Sequence, residues 1–256
     1  MKLWQNIETN FFKEQKVAGF IPNSKIVKVA SLGFDNFAAD IFWLKMIQFL
    51  GAHFGSNNDL KGLFEFTDLI TDLDKNFKNA YQVGGMLLPI AGQSEKAEII
   101  LEKGAQALPY NWEMVWDLAF IKFFYHEKYE EAAQLYEKCS LLPDCLPAAK
   151  SMAVNMKNRM GKYELAFNEW KRIYNDENSS EEKRELALKK MEESEKLFNL
   201  NRFAQEFKRI NNRDIKDLDE LKQAFPLLNK DKFISPFENN PFIWREDKKR
   251  VGTKKW

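Results

Sequence analysis

The chain has 256 residues, 45% of them hydrophobic, and a formal net charge of +1. That is enough apolar material for a substantial core. The near-neutral balance argues against a protein built to neutralise nucleic-acid phosphates, because duplex affinity scales with clustered Lys and Arg. Charges of both signs alternate along helix faces, and no stretch approaches the roughly 18 apolar residues needed to cross a bilayer.

In chain order, residues 1–43 read as N-terminal helices. Leu3, Trp4, Ile7 and Phe11 fall on one face of a short amphipathic helix, followed by a break at 19–22. Such a face ordinarily packs on its own protein, and the mixed charge signs fit a membrane-surface helix less well. The start lacks the uninterrupted apolar core of a signal peptide. After Asp35, in the position of an N-cap, residues 37–54 read as a long, very apolar docking helix with Trp43, Ile47 and Leu50. Asp40 within it reads as a buried acid with a partner or as an exposed turn residue.

From there a long period takes over. Ala97, Ala132 and Ala166 recur at an interval of about 34 residues, each followed four positions later by a bulky side chain: Leu101, Tyr136 and Trp170. A repeated helical hairpin leaves this mark, since each needs a small residue where its helices cross and a large one where they wedge apart. Four units are expected over 44–180, at 44–77, 78–112, 113–146 and 147–180.

Laid over one another, the middle units carry further landmarks. One has Tyr81, Gly84, Gly85, Leu88, Ala97, Leu101, Gly104 and Pro109; the next has Trp116, Ala119, Phe120, Phe123, Tyr129, Ala132, Tyr136 and Cys139, with Pro143 one place early. This stretch resembles the tetratricopeptide repeat (TPR). The fourth unit matches through Ala153, Gly161, Tyr163, Ala166, Trp170 and Ile173, and the first matches through Gly51, Phe54, Leu63, Thr67 and Ile70, with Lys75 where the repeat has proline.

Past the repeats, residues 181–225 are expected to form capping helices. Ser179-x-x-Glu182 has the spacing of a capping box opening a helix to about Phe198, and a second helix follows with Leu200, Phe203, Ala204, Phe207 and Ile210 on one face. Asp217-x-x-Glu220 starts a short helix that stops before Pro226. The tail, 226–256, combines turn formers and aromatics in Ser235-Pro236-Phe237 and Asn240-Pro241-Phe242-Ile243-Trp244, which predicts a small hairpin or extended segment. Its basic run, 245–255, reads as a solvated C-terminus.

The tail resembles the C-terminal ends of bacterial pseudopilins and of uncharacterised bacterial TPR proteins with an Asp-Pro-Phe-Gly-Gly-type ending, although Ser235 replaces the aspartate and no ion site carries over. The segments 31–36, 39–44 and 71–74 resemble the same TPR proteins. That resemblance implies a bacterial protein peripheral to a membrane, on the periplasmic side if an N-terminal anchor was removed and otherwise in the cytoplasm.

Candidate chemistry is sparse. His53 and His126 are far apart and lack metal-ligand spacing, no phosphate loop or nucleophile elbow occurs, and no cofactor, metal or catalytic residue is expected. Cys139, at a small-residue position, reads first as a packing residue; a disulfide to Cys145 would have to span a helix end in an oxidising compartment. The resemblance to TPR proteins implies an all-α solenoid that binds a helix or peptide of a protein partner in a concave groove. Gln82, Met86, Met114, Asp117, Ile121, Phe124, Tyr125, Asn155, Asn158 and Arg159 are the expected partner-binding residues. No nucleic acid is expected as a partner, and membrane contact would be indirect or through the N-terminal amphipathic helix. The alternative is a structural subunit that docks through its flat sides and tail, with the groove filled by its own N-terminal helix.

Overall fold

Apolar helix faces interrupted by Gly, Pro and Asn resolve into an all-α fold. A computed structural model describes residues 21–53, 60, 62–237 and 240–253. The amphipathic segment with Leu3, Trp4, Ile7 and Phe11 lies outside the described residues, as do Phe54 and the end of the basic tail.

The chain divides into two compact units, Met1–Leu146 and Pro147–Trp256. The division falls where the third and fourth sequence repeats meet. The first unit contains α1 (Ser24–Ala30), α2 (Asp35–His53), α3 (Leu63–Leu73), α4 (Lys78–Ile90), α5 (Ser94–Ala107), α6 (Trp112–Phe124) and α7 (Tyr129–Cys139). The second contains α8 (Ala148–Arg159), α9 (Tyr163–Asn175), α10 (Glu181–Asn211), α11 (Leu218–Ala224), a 3-10 turn at Lys230–Phe233, and the strands β1 (Ile243–Arg245) and β2 (Arg250–Gly252).

In the first unit each helix packs on the next, pairing α2 with α3, α4 with α5 and α6 with α7. Local chemistry sets the ends. The Asn23 side chain accepts from Lys25 N at 2.9 Å to open α1, and Asn111 accepts from Met114 N at 3.1 Å to open α6. Gly92, at φ +73°, turns the chain out of α4 while Gln93 N donates to Leu88 O at 2.9 Å.

The landmarks of the long period are core positions. Ala97, Ala132 and Ala166 are fully buried, and so are Leu101, Tyr136 and Trp170. A Cβ added to Gly85 would meet the Leu101 side chain at 2.7 Å, and one on Gly104 would meet the Tyr81 ring at 2.9 Å. The α4–α5 pair therefore approaches more closely than any side chain at these two sites would permit.

In the second unit α9 and α10 form the most extensive pair, around Ala166, Trp170 and Ala187. The far half of α10 gathers a second cluster, with Leu197, Leu200 and Phe207 packed among Tyr163, Leu221, Phe233, Phe242 and Val251. Of the hairpin and the extended segment expected for the tail, the hairpin forms: β1 and β2 pair antiparallel with Trp244 opposite Val251. Asn201 holds it to α10, its Oδ1 accepting from Val251 N at 2.9 Å and its Nδ2 donating to Val251 O at 3.1 Å.

Three expectations are corrected. The two helices predicted at 181–198 and 200–210 are one 31-residue helix, because Asn199 and Asn201 do not break it and the Asn201 amide satisfies Leu197 O at 2.8 Å within the turn. Its N-cap is Ser180, whose Oγ accepts from Lys183 N at 3.3 Å, while Ser179 Oγ donates to Ile173 O at 2.8 Å. Cys139 is buried as a packing residue, yet it is also disulfide-bonded to Cys145, with Cα atoms 6.0 Å apart across the C-terminal end of α7. The predicted start of α11 stands: the Asp217 side chain accepts from Glu220 N at 2.8 Å.

Gly85→Ala is expected to destabilise the first unit by about 1–3 kcal/mol through overpacking against Leu101, read as a lowered urea midpoint. Cys145→Ser, which opens a loop of sequence separation 6, is expected to cost about 2 kcal/mol on the chain-entropy estimate. An unchanged midpoint in the oxidised protein would contradict the crosslink.

Candidate functional site

The ten sequence-predicted binding residues divide between the units. Gln82, Met86, Met114, Asp117, Ile121, Phe124 and Tyr125 belong to the first, on α4, α6 and the residue after α6; Asn155, Asn158 and Arg159 belong to α8 in the second.

Three of them do not face outward. Met114 and Ile121 are buried in the first unit's core, because they lie on the face of α6 that meets its neighbours. Asn158 is buried too, its Oδ1 accepting from Ser194 Oγ at 3.0 Å. These are corrections: repeat register alone assigned the residues to a groove, and packing claims them.

What does project from α6 is a ring cluster at its C-terminal end. Phe120 stacks on Phe124 with centroids 5.3 Å apart, Phe124 meets Tyr125 edge-on at 5.1 Å, and Phe123 lies edge-on to both Phe120 and Phe124. Phe124 stays 46% exposed and Tyr125 39%. The structure thus brings Phe124 and Tyr125 together and adds Phe120 and Phe123, which sequence reasoning had counted only as repeat landmarks. Met86, 63% exposed, presents a further apolar side chain on α4.

The same helix carries a buried charge network. Lys122, one turn before Tyr125, has a side chain only 6% exposed and reaches Glu98 at 2.6 Å and Glu102 at 2.9 Å on α5, and Glu131 at 2.8 Å on α7. Glu98 also takes Lys128 at 2.7 Å and contacts His126. Burial disfavours the Glu98 carboxylate, but Lys122 and Lys128 outweigh it and hold its pKa at about 2. Burial likewise works against the Lys122 ammonium, yet the hydrogen bonds it donates to Glu131, Glu98 and Glu102 push its pKa above the ordinary lysine value. Three helices, α5, α6 and α7, are tied at one point.

Asp117, at the midpoint of α6, is the opposite case. Burial, with Glu113 adding repulsion and Lys78 only partly offsetting it, raises its carboxyl from 3.8 to about 6. Burial also pushes the Tyr136 hydroxyl upward, and the Asp117 charge adds to it.

The second unit contains a cleft of about 540 Å³, where Trp244, Phe198 and Tyr163 meet Arg202, Lys208, Lys249 and Arg250. Its acid, Asp214, is paired with Lys208 at 3.0 Å and Lys249 at 3.6 Å. The basic tail is therefore not simply solvated: the Arg250 guanidinium donates to the Arg159 carbonyl, and Val251 is fully buried. Sequence carried a signal for this cleft in the basic run at 245–255, but not the fold-back that places residues 245–253 of it against α10. Among the described residues no group of three or more His, Cys, Asp or Glu could hold a metal ion, and no helix is long and apolar enough to cross a membrane.

No protein-family model matches the chain, and no curated protein is significantly similar to it.

Two predictions follow from the charges. Glu98→Gln leaves the Lys122 ammonium short of its closest partner and is expected to cost about 2–4 kcal/mol, with acid sensitivity altered between pH 4.5 and about 2, where the wild-type stabilisation disappears on protonation. Asp117 behaves in reverse. Its folded pKa is raised, so the folded state binds the proton more tightly and stability falls as pH rises from 3.8 to about 6. Asp117→Asn removes that loss and is expected to gain about 2 kcal/mol at neutral pH after allowance for solvent screening, with no gain below pH 4. Urea titrations at several pH values check both.

Proposed function

We propose that this protein is a non-catalytic helical-repeat scaffold or accessory subunit that holds a partner helix or peptide and contributes to a larger, membrane-associated bacterial assembly. The observation that carries the reading is the half-exposed ring cluster of Phe120, Phe124 and Tyr125 on α6. Rigid aromatics lose little conformational freedom on binding and supply large apolar contact areas, which makes them characteristic anchors of protein interfaces. The Lys122 network keeps their helix fixed, so a partner would not have to organise the surface as it binds. Exposed Met86 adds an adaptable contact of the kind common at peptide-binding surfaces.

The family and the membrane association rest on the resemblance of the repeat landmarks and of segments 31–36, 39–44 and 71–74 to bacterial TPR proteins. A chain docking mainly through its C-terminal tail has less support. The tail buries Phe242 and Val251 inward and serves as core of its own unit.

The test is capture with tagged wild type and with a Phe124→Ala/Tyr125→Ala variant, from solubilised membranes and from cytosol of the host, read by quantitative mass spectrometry. The expected outcome is a defined set of partners for the wild type and at least about a tenfold loss of them for the variant, as for interface anchors. Equal recovery by a variant that keeps the wild-type urea midpoint would overturn the assignment of these rings. Met86→Ala, on a separate helix, is expected to weaken capture by a smaller factor.

A further inference from the structure

Helix α2 is apolar on two faces, and only one of them is covered. Ala39, Met46, Phe49 and Leu50 turn into the core of the first unit. On the other side Phe37 is 65% exposed, Ile41 40% and Leu44 62%, in line with exposed Phe34 just ahead of the helix. A helix apolar all round is ordinarily covered all round.

The spacing on the open face is that of a coiled-coil seam. Phe37, Ile41, Leu44 and Gln48 follow one another at intervals of four, three and four residues, so Ile41 and Gln48 occupy a positions and Phe37 and Leu44 occupy d positions. A β-branched residue at a with Leu at d is the combination that favours two parallel strands, and a polar residue at one a position fixes register. The flanks agree. Asp40 takes the g position and Lys45 the e position of the next heptad, the pair that meets between chains in a parallel dimer. Ile47 at g and Ala52 at e repeat the match one heptad on with apolar partners. Neither Asp40 nor Lys45 forms an ion pair among the described residues, and Lys45 lies over the Phe42 ring at 5.1 Å. In an antiparallel pair g positions flank g positions and e flank e, so Asp40 and Lys45 would not meet across the seam.

We propose that this open face of α2 is where a second copy of the chain docks, the two helices running parallel about a two-fold axis as a short two-stranded coiled coil. The helix is already formed on its unit, so pairing does not have to order it, and the covered face with Met46 lies opposite the seam, which keeps the two bodies on opposite sides of the contact.

Sedimentation of the full chain at micromolar concentration tests this, and a dimer is expected. Asp40→Lys and Lys45→Asp should each raise the dimer dissociation constant by about fivefold or more, since two flanking pairs become repulsive, and the double reversal should restore it. Phe37→Cys should cross-link to itself under mild oxidation, because identical d positions face each other only in the parallel arrangement. A monomer throughout the concentration range would overturn the proposal. So would a dimer that neither responds to charge reversal nor cross-links at position 37, or a monomer that floats with anionic vesicles and loses that binding on Leu44→Asp, which would assign the face to a lipid surface.

Discussion

The closeness of α4 to α5 is the constraint on which the first unit depends. Gly85 against Leu101 and Gly104 against Tyr81 leave no room for a Cβ, and this lets Tyr81, Ile100, Leu101 and Met114 gather in one buried cluster. Ala97 and Ala132 do the same at the start of the second helix in their hairpins. Because these contacts are tight, the next helix has one place to go, and α6 is set down with its Met114–Ile121 face inward. The exposure of Phe120, Phe124 and Tyr125 is then a consequence of packing on the opposite side.

Electrostatics refines the same element. Lys122 projects into three carboxylates from α5 and α7, and the low exposure of its side chain makes that arrangement costly to lose. Asp117, a turn and a half earlier, is the one carboxylate of α6 that burial has pushed toward neutral pH. One helix thus carries a strongly satisfied cation, a poorly satisfied anion and an exposed ring cluster. Such a combination gives the surface a fixed geometry while leaving stability dependent on pH through two carboxyls of opposite sense, Asp117 and the Glu98 that Lys122 meets on α5.

Much of the helical framework was legible because it repeats. The interval linking Ala97, Ala132 and Ala166 reports packing geometry directly, as only small side chains fit where helices cross, and all three are buried. The Asp217 cap and the tail hairpin were legible from local turn chemistry. The candidate site was legible only in part. Phe124 and Tyr125 are exposed as expected, whereas Met114, Ile121 and Asn158 are not, because repeat register defines a face of a helix without saying how wide a stripe the neighbours will cover. The joined α10 was missed for a related reason: Asn is a weak helix former, and a tertiary partner such as Val251 can outweigh that weakness.

By itself, then, the sequence determined the all-α class, the hairpin period and the small-against-large pairs, since these follow from backbone sterics and side-chain volume within some tens of residues. The tertiary structure decided which face of an ambivalent helix is covered. It set α2 with Met46 inward and Leu44 outward, buried Met114, and folded the basic tail against α10. These outcomes turn on what stands across from a side chain, and that is fixed only when distant segments meet.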